Sequence, residues 1–207
     1  MNAGMQKSRK EHTMEISQEM LRQLMQTSRV PTRVVSSDII AQALEENGWV
    51  KSIAGDAEFN KAVSAIQAMF SSGRGLLVTG DAGCGKTQLM SAIRDWLNRG
   101  TLNWMYCKEP KDVNYMRYDD DAIKGNVFVD DIGCEEIIRE YGNIVDVVGD
   151  YIQRYHYRGN GRFIATTNLN SQQINERYGA RCLDRLLEMC VVLKLNGKTK
   201  RERIVYA

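Results

Sequence analysis

An α/β fold, a parallel sheet covered by helices on both faces, is what this sequence predicts, and three observations carry it. Short apolar runs at 76–79, 103–107, 126–130, 163–167 and 190–195 alternate with stretches of helical spacing, and strands alternating with helices build a parallel sheet. The runs are rich in Val, Ile, Leu and Phe rather than alternating with polar residues, as strands buried on both faces are. The run at 76–79 leads through Gly80-Asp81-Ala82-Gly83-Cys84-Gly85-Lys86-Thr87 into a helical stretch at 86–98. Strand, glycine loop, helix is the order of a phosphate-binding P-loop. The expected architecture is a P-loop nucleotide-binding fold with a five-stranded parallel sheet, preceded by a short helical segment.

Residues 1–12 are polar and expected to be disordered. At 14–27, Ile16, Met20, Leu21, Leu24 and Met25 share one face of an amphipathic helix. Arg29-Val30-Pro31-Thr32 ends it, because the residue before proline disfavours helix. Ser37-Asp38 is expected to cap a second helix, through Ile39, Ile40, Ala43 and Leu44, that closes near Asn47-Gly48. Residues 52–56 read as a linker, which makes 13–54 an N-terminal helical segment, its apolar faces suited either to a partner or to the chain's own core, and 55–207 the nucleotide-binding core. A helix over 58–70 aligns Phe59, Val63, Ile66 and Phe70, and 71–75 turns into the first strand. Leu89, Ile93, Trp96 and Leu97 mark the buried face of the helix after the loop. Further helices are expected as a short piece within 110–123, then at 143–157, 171–177 and 181–187.

Length and composition set bounds. A chain of 207 residues, 43% hydrophobic and 26% charged, is one ordinary domain with at most a small appendage. A net charge of +2 gives no composition-level sign of nucleic acid. Five cysteines without a C-x-x-C pair suggest neither a disulfide framework nor a zinc site, so reduced thiols in the cytoplasm are expected. No apolar run approaches the ~20 residues of a membrane span, so no membrane partner is expected.

The loop carries the chemistry. Its glycines let backbone N–H groups curl around phosphate oxygens, and the helix N-terminus adds partial positive charge there. Lys86 is expected to reach the β- and γ-phosphates, and Thr87 to offer its hydroxyl to Mg2+. Asn126-Val127-Phe128-Val129-Asp130-Asp131 is an apolar strand ending in two carboxylates, similar to a Walker B segment. It is expected beside the P-loop strand, with Asp130 holding the metal through water and Asp131 polarising the attacking water. Phe163–Thr167 ends in Asn168, which suits a side chain that senses the γ-phosphate, although Asn is also a common turn former. Arg181 and Arg185 stand four apart, on one face of a helix. Arginine suits permanent, bidentate contact with phosphate, and an ordinary ion pair with Asp184 or Glu188 is the plain alternative.

The order of these motifs resembles AAA+ ATPases, and among them the DnaC/IstB group of replicative-helicase loaders and transposition ATPases. The resemblance rests on Phe128-Val129-Asp130-Asp131-Ile132-Gly133, Tyr151-Ile152-Gln153-Arg154-Tyr155, Thr166-Thr167-Asn168-Leu169, the box from Tyr178-Gly179-Ala180-Arg181 to Asp184-Arg185-Leu186, and Glu188-Met189-Cys190 with Leu195-Asn196-Gly197-Lys198, over about 58–201. It implies ATP and Mg2+ as ligands, with Lys86, Thr87, Asp130, Asp131 and Asn168 as the nucleotide site. Arg185, or else Arg181, would be an arginine finger acting on a neighbouring subunit. The implied partners are a replicative helicase, further copies of the chain and, more remotely, single-stranded DNA. Two departures stand out: only about 108–125 is left for the extra helix that loaders use around single-stranded DNA, and no helical lid is recognisable after the last strand. Three functions remain: an ATP-hydrolysing DnaC-like helicase loader, an IstB-like transposition ATPase, and a nucleotide-gated binding module that scarcely hydrolyses. The absence of a guanine-reading N-K-x-D motif agrees with adenine.

Overall fold

The computed structural model describes residues 34–98, 105–107, 125–135, 138–140 and 143–196. The helix expected at 14–27, the short piece within 110–123 and everything after Asn196 lie outside these residues.

Alternating side chains along the strands divide the core into two layers. Leu76, Val78, Phe128, Ile164, Leu193 and Leu195 face one side of the sheet, and Leu77, Val127, Val129, Phe163, Ala165 and Cys190 face the other. Five strands pair in one all-parallel sheet: β1 (Gly75–Gly80), β2 (Met105–Cys107), β3 (Val127–Ile132), β6 (Phe163–Thr167) and β7 (Cys190–Leu195), in the order β2-β3-β6-β1-β7. Two short strands, β4 (Ile138–Glu140) and β5 (Asn143–Val145), form a separate antiparallel pair.

The first layer is covered by α1 (Ser37–Glu46), α3 (Asp56–Ser72) and α4 (Lys86–Asn98), and a single turn, α2 (Lys51–Ala54), joins α1 to α3. The opposite layer is covered by α5 (Val147–Arg158), α6 (Ser171–Tyr178) and α7 (Ala180–Met189). Leu89, Met90, Ile93 and Leu97 of α4 are buried, as their spacing requires. The described part of the N-terminal segment packs here too: Val35, Ile40, Leu44 and Trp49 sit in one cluster with α3 and α4.

Four expectations need correction. The cap of α1 is Ser36, whose hydroxyl accepts from the Ile39 amide, rather than Ser37. Residues 51–54 are helical, so the expected linker shrinks to Gly55, whose φ of 84° separates two helices. The helix expected from 143 starts at Val147, because Asn143–Val145 pair with Ile138–Glu140 and the Asp146 carboxylate caps the helix through the Gly149 amide at 2.9 Å. The acidic strand β3 does not lie beside β1. Both edges of β1 are taken, by β6 in register Leu76↔Ile164 and by β7 in register Leu76↔Val191, so β6 stands between β1 and β3.

Candidate functional site

Three chain ends meet above the C-terminal edge of the sheet: the loop after β1, the end of β3 and the end of β6. That edge is where open α/β sheets place their ligands. The cleft there has a volume of about 550 Å³ and is lined by Ala82, Gly83, Gly85, Lys86, Thr87, Gln88, Ser91, Asp131 and Asn168.

The loop is shaped from below. Gly85 has φ 99°, and a Cβ on it would fall 2.9 Å from the Trp49 ring, so any larger residue would push the loop off that indole. Gln88 Nε2 also donates to the Gly48 carbonyl at 3.2 Å, which fastens the start of α4 to the same segment. Cys84 points into the core rather than the cleft.

Lys86 is only 6% exposed. Its ammonium donates to the carbonyls of Gly80 at 2.8 Å and Asp81 at 2.9 Å, and to Asn168 Oδ1 at 2.6 Å. Three donors and three acceptors satisfy a buried ammonium without a carboxylate. Asn168 then uses its amide nitrogen on Asp131 Oδ1 at 2.6 Å. Lys86, Asn168 and Asp131 are therefore linked in one hydrogen-bonded row across the cleft.

Asp130 is nearly buried, and its Oδ1 accepts from the Thr87 hydroxyl at 3.3 Å and the Thr166 hydroxyl at 2.5 Å. Asp131 has φ 59°, the one positive value outside glycine among the described residues. A non-glycine residue held there costs on the order of 1–2 kcal/mol, and such strain gathers at functional sites. Thr87 and Asp130 form an oxygen-donor pair of the kind Mg2+ prefers, and among the described residues nothing donates to the second Asp130 oxygen. The residues fit the metal implied by the sequence.

Beyond the acids, Cys134 is exposed, with its Sγ 3.9 Å from Asn168 Nδ2. Partial burial, then the Asp131 carboxylate beside it, push its thiol pKa up. Glu135, whose side chain is 6% exposed, accepts from the Gly133 amide at 2.8 Å, from Arg177 Nε at 3.1 Å and from the Tyr178 hydroxyl. This knot ties the loop after β3 to α6. Burial first, and then the Glu135 carboxylate, raise the Tyr178 pKa, so that hydroxyl stays a donor.

The two arginines are elsewhere. Arg185 Nη1 pairs with Glu188 Oε2 at 2.7 Å and lies 3.4 Å from His156 Nε2, while Arg181 Nη2 donates to the Tyr157 hydroxyl at 2.5 Å. Both guanidinium carbons lie over the exposed Tyr157 ring, at 5.9 Å and 5.6 Å from its centre. Arg185 and then His156 hold the Glu188 carboxyl below its usual range. Neither arginine lines the cleft. The structure thus gathers the P-loop, Asp130, Asp131 and Asn168 into one site and sets Arg181 and Arg185 apart on α7. Trp49, Thr166 and Glu135 had no assigned role in the sequence. Of these only Thr166 left a signal, as the first of two threonines that close an apolar strand before Asn168.

No family model matches the sequence, and no curated protein matches it. Solved structures match in fold. The DnaC helicase loader aligns with a TM-score of 0.51 and 21% identity, over 68% of this chain and 92% of that one. DnaI aligns at 0.52 and 19%, over 70% and 94%. A protein described as a primosome component from Streptococcus pyogenes serotype M3 aligns at 0.52 and 19%, over 77% and 98%. The chain shares its fold with these structures. Among the described residues no helix is long and apolar enough to cross a membrane.

Proposed function

We propose that this chain binds ATP with Mg2+ at the loop Gly80–Thr87, hydrolyses it, and acts as a loader of a replicative helicase. The observation that carries the reading is the convergence of Lys86, Thr87, Asp130, Asp131 and Asn168 on one cleft from three separate strand ends. The likeness in fold to the DnaC helicase loader supports the task, and the chemistry of the cleft supports the activity.

Each residue has a derivable job. The loop amides and the start of α4 hold the phosphates, and Lys86 turns from the Asn168 amide oxygen to the β- and γ-phosphate oxygens. Thr87 and Asp130 would hold the Mg2+, which when bound neutralises charge on the phosphates. Asp131 accepts a hydrogen bond from the attacking water and orients it. Asn168, already bonded to Asp131, sits where it can hold that water or a γ-phosphate oxygen in line. Arg185, with Arg181 beside it, reaches the nucleotide of a second copy or of the partner assembly. An arginine supplied in trans is worth ~10³–10⁵ in rate, so the isolated chain turns over slowly.

The test is ATP turnover at several protein concentrations, with and without single-stranded DNA and the replicative helicase of the same source. Turnover should rise with concentration or with helicase, vanish in Lys86→Ala and lose its stimulated part in Arg185→Ala. Tight ATP binding with no turnover under any condition would refute hydrolysis and leave a nucleotide-gated module. Stimulation by duplex DNA alone would replace the loader with a transposition ATPase.

A further inference from the structure

We propose that Thr166 is a positioning residue for both acids, and that its single hydroxyl sets how tightly a divalent cation joins the bound nucleotide. The proposal rests on the nucleotide reading above.

The reason begins in the sheet. The ladder between β3 and β6 runs Val127↔Phe163, Phe128↔Ile164, Val129↔Ala165, then resumes at Ile132↔Thr167. Two residues of β3, Asp130 and Asp131, therefore oppose one residue of β6, Thr166. This is the count of a β-bulge, which re-aims side chains next to functional sites. The bulge turns Asp131 to φ 59° and takes its amide out of the ladder. Thr166 Oγ1 accepts that amide at 2.7 Å. A hydroxyl has one proton to give. With Asp131 on its acceptor side, the proton goes to Asp130 Oδ1, at 2.5 Å. Thr166 is wholly buried, so water cannot replace either bond.

The consequence falls on Asp130. Thr87 and Thr166 both donate to Oδ1, which fixes the carboxylate plane and leaves the other oxygen without a donor among the described residues. Thr87 is shared with the cation, so Thr166 is the one fixed donor that does not change when metal arrives. Outer partners of this kind commonly tune metal affinity by ~10–100-fold.

Thr167 supplies an internal control. It is equally buried and one residue away, but its hydroxyl donates to the Ile132 carbonyl at 2.7 Å and accepts from the Leu169 amide at 3.0 Å, and it touches neither acid. A purely structural role would make the two threonines equivalent.

The experiment is equilibrium binding of a fluorescent ATP analogue to the full chain, in EDTA and across a Mg2+ titration, with thermal melting of every variant. In EDTA, wild type and Thr166→Val should bind alike. The Mg2+ midpoint should move upward by roughly 10–100-fold in Thr166→Val, return close to wild type in Thr166→Ser, and stay in place in Thr167→Val. Thr166→Ala carries the same expectation should the valine variant not fold. An unchanged midpoint in Thr166→Val or Thr166→Ala, or an equal shift in Thr167→Val, overturns the proposal. A wild-type chain that binds no nucleotide in either buffer overturns the nucleotide reading itself.

Discussion

Replacing Trp49 by alanine asks whether the segment ahead of the first strand belongs to the nucleotide fold. Trp49 is 1% exposed and its ring lies under Gly85 of the phosphate loop. A buried indole removes roughly 200 Å² from water, which at about 25 cal/mol/Å² is about 5 kcal/mol before relaxation. Buried aromatic-to-alanine changes lose about 3–5 kcal/mol in practice. A chain of this size loses about 2–4 °C per kcal/mol, so the melting temperature should fall by roughly 6–20 °C. Urea unfolding should show the same loss with an unchanged slope. ATP affinity should fall as well, because Gly85 loses the surface it rests on. Val34, 79% exposed and next in the chain to Val35 of the same cluster, gives the contrast: Val34→Ala should change stability by less than about 0.5 kcal/mol. A Trp49→Ala loss below about 1 kcal/mol would refute the packing argument, and an unchanged ATP affinity would refute its link to the loop.

Two further outcomes follow from the cleft. Asp131→Gly removes the cost of holding a side chain at φ 59°, so its melting temperature should match or exceed wild type while turnover falls by ~10²–10⁴. Parallel loss of stability and turnover would show that Asp131 is structural. Of Cys84, Cys134, Cys182 and Cys190, only Cys134 is exposed, and burial pushes the Cys182 and Cys190 thiols up to about 12. A thiol reagent at pH 8 should therefore label Cys134 ahead of Cys84, Cys182 and Cys190, and ATP with Mg2+ should slow that labelling, read by peptide mass spectrometry. Equal labelling with and without nucleotide would place the bound γ-phosphate away from Asn168 and Cys134.

What the sequence made legible was what is local. The loop Gly80–Thr87, the strand ending in Asp130 and Asp131, and Asn168 after β6 each announce themselves by an apolar run beside a specific polar end. Sequence spacing did not show which strands are neighbours. β6 enters between β3 and β1, and no local pattern encodes that insertion. The β-bulge was hidden for the same reason, since it exists only when the β3 and β6 registers are compared. The β4–β5 pair was missed because Asn143–Val145 continue an apolar spacing that also suits helix, until Asp146 caps α5. Trp49 was missed because its partner, Gly85, is distant in sequence and carries no side chain to match.

The position of α7 bears on whether the chain can complete its own site. Cys182 and Leu186 are wholly buried on the side of the helix that packs on α5, α6, β7 and β1, which fixes its rotation. Arg181 and Arg185 then face Tyr157, and none of their partners lines the cleft. Swinging Arg185 into its own cleft would require pulling Leu186 from the core, which costs about 2–3 kcal/mol in lost burial alone. An arginine that acts on nucleotide from this position acts on another molecule's. Complementation tests this directly. Lys86→Ala lacks a working loop but keeps its arginines, and Arg185→Ala keeps its loop but lacks one. In a head-to-tail assembly each interface takes a loop from one copy and an arginine from the next. Each variant alone should show no stimulated turnover, and an equal mixture should regain roughly a quarter of the wild-type stimulated rate, the share of interfaces with both parts intact under random pairing. Light scattering on the same samples reports whether mixed assemblies form. Mixed assemblies with no recovered turnover would refute the trans arrangement, as would full activity in Arg185→Ala alone.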